Sequence, residues 1–215
     1  MPIGSEVLDG SYMGELLSRF PAYTEEDFWA LICCGSDLHH PYDGWSGVVA
    51  IPIFSARYRP FELFFGDFPD SLAQYENVPD YLVNRDISKY QAFSEFRSFI
   101  EACTDNPVFI SANASTWALK IVNEAVRLDS SGAWNAQFIC LRDVYSLTRS
   151  SGDLCSSEFI GSAFRLAPAL SKRFGLHAIA DALDISEPDS SNRALHRARL
   201  TAAVSRRCLD MTYPS

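Results

Sequence analysis

The sequence predicts an α/β domain on a mixed five-stranded sheet, an antiparallel meander followed by parallel strands, with helices on both faces. Three observations predict it. Apolar runs at Phe28 to Cys34, Val48 to Phe54 and Phe61 to Phe65 are short and separated by turns, as in a meander. Two more strand-like runs, Phe109 to Asn113 and Gln137 to Leu141, each follow a stretch with helical spacing. The stretch from Phe109 to Trp117 then reads as strand, tight turn and helix. Its turn therefore sits at the C-terminal edge of the sheet, where open α/β folds bind ligands.

Taken in order, residues 5–20 carry a short helical pattern weakened by Gly10 and Gly14 and stopped by Pro21. Residues 1–27 are accordingly assigned to an N-terminal helical extension and 28–215 to the α/β domain. Phe28 to Cys34 is apolar almost without a break, which fits a strand buried on both faces. Pro52 places the second strand near an edge or a bulge. Pro69 to Asp86 reads as a polar connector. Ser88 is the N-cap of a helix whose face is Phe93, Phe96, Phe99, Ile100 and Cys103. A helix from Ser115 to near Gly132 follows the turn, with Ala118, Ile121, Val122 and Ala125 inward. After the fifth strand come a loop at Ser150 to Ser157, a helix at Phe159 to Leu166, and a short helix at Ala169 to Phe174 capped by Gly175. His177 to Ser191 is polar and carries no clear pattern. Ala194 to Cys208 closes the chain as a helix with Ala198, Ala202 and Val204 inward.

The composition excludes several function classes. A hydrophobic share of 47% with 21% charged residues is that of a globular protein. The net charge of −9 argues against a broad footprint on duplex DNA or RNA. No apolar run approaches the roughly 20 residues of a membrane span, and the start lacks the basic and apolar regions of a signal peptide. Six cysteines without metal-type spacing suggest reduced thiols. The expectation is an intracellular, cytoplasmic protein with no membrane contact.

Four blocks carry a resemblance. They are Ser111-Ala-Asn-Ala-Ser-Thr-Trp117, Asp143-Val-Tyr-Ser-Leu-Thr-Arg149, Leu170-Ser-Lys-Arg-Phe-Gly-Leu176 and His196-Arg-Ala-Arg-Leu-Thr-Ala202. In this order they resemble motifs of the DEDDh 3′-5′ exonucleases, the family of polymerase proofreading subunits, ribonuclease T and oligoribonuclease. The resemblance spans roughly Phe28 to Leu209. It implies a ribonuclease H-like fold for the five-stranded sheet.

The family's reaction uses four carboxylates that gather two metal ions, with a histidine as general base. On this chain the resemblance sets the second-motif aspartate on Trp117 and the third-motif aspartate on Thr201. The first motif, Asp-x-Glu, falls on Cys34 and Ser36, or on Asp37 and His39 in a shifted register. His196 alone keeps its family type. In the first register every metal-binding carboxylate is replaced, and Mg2+ wants hard oxygen ligands. The resemblance therefore implies a pseudo-exonuclease with a remnant site of Cys34, Ser36, Trp117, His196 and Thr201. No cofactor or metal is expected. The competing reading is an active exonuclease with a rebuilt Mg2+ or Mn2+ site that uses Asp37, His39 or His40 with His196. Asp37, His39, His40 and Asp43 lie in a loop between strands, where polar residues collect by default, and their spacing matches no known ligand frame.

Other features have two readings each. Cys34 could pair with a histidine as a nucleophile, but a cysteine ending a buried strand is commonly a small core residue. Trp29, Trp45 and the aromatics from Phe54 to Phe68 fit core packing as well as base stacking. Arg193, Arg197, Arg199, Arg206 and Arg207 give the last helix a basic character against an acidic background. With Asn113 at the turn, Arg193, Arg197 and Arg199 form the candidate surface for a protein partner or single-stranded nucleic acid. Some members of the resembled family dimerise, which makes a homodimer an open expectation.

Overall fold

The computed structural model describes residues 24–35, 45–112, 134, 136–142, 144–145, 175–186 and 188–212. Asn113, the helix expected from Ser115, and those expected at 159–166 and 169–174 lie outside the described residues. So do the expected extension up to residue 23 and most of the stretch from Asp143 to Arg149.

The apolar runs form a sheet. β1 spans Phe28–Gly35, β2 Trp45–Pro52, β3 Phe61–Phe65, β4 Val83–Asn84, β5 Val108–Ser111 and β6 Gln137–Cys140. The strand order is β4-β3-β2-β1-β5-β6. β1 runs antiparallel to β2, and β2 to β3, which is the expected meander. β5 is parallel to β1 and β6 is parallel to β5. The mixed α/β class and the antiparallel-then-parallel order match the expectation, but the described sheet has six strands rather than five. The sixth is β4, two residues paired parallel to β3 inside the segment read as a polar connector. So short a strand has no room for the alternation that identifies strands in a sequence. Pro52 closes β2 at its last residue, so its missing donor interrupts no inner rung of the ladder.

The same connector holds helix α1, Asp70–Glu76. Asn77 ends it in the left-handed conformation, φ 54° and ψ 44°, and donates its Nδ2 to the Ser191 carbonyl at 3.2 Å. Helix α2, Lys89–Glu101, begins as expected: Ser88 Oγ accepts from the Gln91 backbone, and Gln91 Oε1 accepts from the Ser88 backbone. Helix α3, Leu176–Ala182, occupies part of the stretch that carried no pattern. Gly175 is its N-cap, with φ −66° and ψ 154°, rather than a left-handed C-cap of a preceding helix. Helix α4, Arg193–Thr212, extends the expected closing helix at both ends. Ala198, Ala202 and Val204 face inward on it as expected.

Alternation along β1 divides the core. Trp29, Leu31 and Cys33 point to the α2 side with Phe93, Phe96, Ile100, Phe109 and Trp134. Ala30, Ile32 and Cys34 point to the α4 side with Ala194, Ala198, Val204 and Cys208. Trp29 and Trp45 are thus core residues rather than a stacking platform. Trp45 meets Phe65 edge-on at 5.1 Å, and Phe109 lies 5.5 Å from Trp134. Gly47 pairs with both Cys34 and Phe64, and a Cβ there would stand 2.7 Å from the Phe64 ring. Among the described residues, Cys33, Cys34, Cys103, Cys140 and Cys208 form no disulfide with one another. Among the described residues no helix is long and apolar enough to cross a membrane.

Candidate functional site

The C-terminal end of β1 and the start of α4 meet at one place. Cys34, on the α4 face of β1, is 2% exposed. The α4 residues Ala194, Ala198 and Thr201 are fully buried, so Thr201 is packed one turn beyond Arg197. Between Cys34 and solvent stands Arg197, whose Nη2 is 3.9 Å from Cys34 Sγ and donates to Glu76 Oε1 at 2.6 Å. Glu76 closes α1, and its side chain is only 3% exposed. Arg197 was expected on a partner-facing surface; here it turns partly inward to meet a buried carboxylate.

This placement has local causes. Asn192 starts α4, its Oδ1 accepting from the Leu195 backbone at 2.8 Å. Its Nδ2 donates to Glu62 Oε2 on β3 at 3.0 Å, which fastens the helix start to the sheet. The Asn77 turn holds the end of α1 against Ser191, just ahead of that cap. Glu76 thereby comes to lie opposite the first turns of α4.

The electrostatics follow from burial. The Cys34 thiol is pushed up to about 12, first by burial and next by the nearby Glu76 charge, with the Arg197 guanidinium opposing both. Burial also raises the Glu76 carboxyl above its ordinary value, against the pull of Arg197 and, more weakly, Arg193. The ion pair uses one nitrogen and one oxygen. Glu76 Oε2 and Arg197 Nε are buried without a hydrogen-bond partner among the described residues, as is the Thr201 hydroxyl.

Arg197 also reaches outward, into an open pocket of about 610 Å³ at the start of α4. Tyr75 and Asn77 come to its wall from the end of α1, His177 from α3, and Arg193 and His196 from α4. The Arg193 guanidinium lies over the Tyr75 ring, 5.1 Å from its centroid. The His177 and His196 rings stack with centroids 6.0 Å apart. His196 Nδ1 is 2.9 Å from the Pro188 carbonyl, and a carbonyl only accepts, so Nδ1 carries the proton of that bond. Arg199 points elsewhere: it is exposed and donates to the Asp189 carbonyl.

The structure therefore brings Cys34 and Arg197 together and sets Thr201 on the same packed face of α4. His196 and Arg193 share the pocket, and Arg197 spans the two. Ser36, Asp37, His39, His40, Asp43, Asn113 and Trp117 lie outside the described residues. Glu76, Glu62 and Asn192 are members that the sequence reading missed. An asparagine just before the periodic run at Ala194 is an N-cap signal that could have been used. Nothing local distinguishes Glu76 from the other acids of its segment.

Among the described residues at this end of β1, Cys34, Thr201 and Arg197 are poor partners for a divalent ion. A thiol pushed up to about 12 stays protonated, a buried threonine hydroxyl is neutral, and a guanidinium repels a cation. Glu76 is committed to Arg197, and Glu62 Oε2 to Asn192. Among the described residues no three His, Cys, Asp or Glu side chains gather as metal ligands would.

No protein-family model matches the sequence, and no curated protein matches it either. A solved structure does: a 3′-exonuclease in 3′-end-specific recognition of a histone mRNA stem-loop. The two align with a TM-score of 0.51 at 9% identity, covering 94% of this chain and 71% of that one. At such identity the likeness concerns the fold, and the mixed α/β sheet described above is consistent with an exonuclease-like one.

Proposed function

We propose that this chain is an exonuclease-like domain of DEDDh ancestry that binds single-stranded nucleic acid, or a protein partner, without hydrolysing it. The observation that carries the reading is Arg197. Its guanidinium stands 3.9 Å from Cys34 at the end of β1, where the resembled family places a carboxylate for its metals. Among the described residues, a guanidinium there, paired with the buried Glu76, works against a divalent ion beside it. His196 keeps the family's residue type, yet without a metal-activated water it has no proton to take.

The pocket beside it favours nucleic acid over protein. Arginines and imidazoles suit phosphate oxygens, and Tyr75, 59% exposed, offers a ring face for a base. The chemistry matches what the solved 3′-exonuclease engages, an RNA. Labelled single-stranded RNA and DNA incubated with Mg2+ or Mn2+ should stay full length. Trimming that vanished in His196→Ala would overturn the reading. Binding of the same strands should weaken with added salt, as phosphate contacts require.

A further inference from the structure

The unpaired edges of the Glu76–Arg197 pair ask for a reason. A buried carboxylate and a guanidinium can form two parallel bonds. Here a single bond links Nη2 to Oε1, and the second carboxylate oxygen and Nε are buried without partners among the described residues. Two bonds would turn a guanidinium edge wholly toward the protein. One bond holds the group by a corner, and the Arg197 side chain keeps 34% exposure on the pocket side. Arg193 stands one turn earlier on the same helix and lines the same pocket, steadied by the Tyr75 ring.

We propose that Arg197 and Arg193 form a phosphate-binding site in this pocket, with Glu76 as the buried anchor that aims Arg197 and moderates its charge. This rests on the reading that the domain binds rather than hydrolyses. The phosphate lies in the pocket and accepts from guanidinium donors that Glu76 leaves unused. Glu76 opposes the ligand's charge through space while holding its receptor in place, so the site grips phosphate reversibly and without a metal ion. Asn77 and Asn192 fix the ends of α1 and α4 and so set the spacing of anchor and receptor.

The test is calorimetric titration of the full chain in low salt with EDTA present. The probes are adenosine 5′-monophosphate, adenosine, inorganic phosphate, a short oligothymidylate and a polyglutamate peptide. The monophosphate should bind and adenosine should not. Inorganic phosphate matching the monophosphate would assign the site to a free phosphoryl group. A tighter oligothymidylate would assign it to the phosphates of a strand; both outcomes support a phosphate site. Glu76→Gln keeps the hydrogen bond and removes the opposing charge, so phosphate affinity should rise by about three- to ten-fold. Arg193→Ala should weaken phosphate binding several-fold, and Arg197→Lys, which keeps a charge at the buried end but loses the planar fork, should weaken it too.

Equal binding of adenosine and the monophosphate, polyglutamate bound as tightly as oligothymidylate, or an unchanged affinity in Glu76→Gln would overturn the proposal. Circular dichroism melting of each variant identifies any that fail to fold, and exposed Arg193→Ala then decides. A protein that binds strands indifferently to these variants would lose this site and keep the reading of a non-hydrolytic binder. Metal-dependent trimming would remove that reading instead.

Discussion

At the scale of single residues, Cys34 shows how position governs chemistry. Its neighbours in the chain suggest either a nucleophile or a filler, and burial at the α4 face decides for the filler. With proton release pushed up to about 12, the thiolate that alkylating agents need is absent at neutral pH. An ordinary thiol gains reactivity steeply as the pH approaches its value near 9.0, whereas Cys34 in the native protein should stay unmodified over that range. Peptide mapping after iodoacetamide treatment checks this, with urea-unfolded protein as the reactive control. Labelling of native Cys34 at the unfolded rate would show an accessible, ionisable thiol and return the nucleophile to consideration. Glu76 makes the complementary point: a glutamate in a polar stretch looks like a solvated one until the fold buries it against Arg197.

At the scale of elements, the site depends on where α1 stops and α4 starts. Both boundaries are set by asparagines that tie helix ends to other parts of the chain. Asn192 satisfies the Leu195 backbone with one side-chain atom and Glu62 with the other. Asn192→Ala should cost about 1–2 kcal/mol from the lost cap alone, and more from leaving Glu62 unpartnered. Asn192→Asp keeps the capping oxygen but sets a second carboxylate against Glu62, so it should also destabilise. Thermal melts of both variants test this, and a full-strength Asn192→Asp would mean that the link to β3 contributes nothing. The cap on α2 was legible because Ser88 and Gln91 form a local pattern of spacing three. The Asn192 link was not, because its second half lies 130 residues away in Glu62.

At the scale of the whole molecule, stability rests on the two layers that β1 separates. Phe109 is fully buried among Phe96, Trp134 and Phe138, with ring centroids 5.3–5.7 Å away. Phe109→Ala should remove about 3–5 kcal/mol. In urea the midpoint should fall with the slope unchanged, since the same surface is exposed on unfolding. A loss below about 1 kcal/mol would mean that the α2-side layer collapses around the gap, and that the sheet is held mainly by α4.

The sequence by itself determined the class of the fold, the meander, the parallel addition of β5 and β6, the start of α2 and the inward face of α4. Those features are written in hydrophobic period and cap chemistry, which act between residues a few positions apart. It also pointed to Cys34, Thr201, His196 and the α4 arginines as residues to examine, through resemblance to motifs rather than through their own pattern. Tertiary structure alone decided that Arg197 turns inward, that Glu76 receives it, and that Arg193 and the two histidines share one pocket. It alone added β4 to the sheet. Each of these is a contact between segments far apart in the chain, and its energy depends on burial that no local pattern records. A charge becomes an anchor only when the fold takes it out of water and supplies its partner.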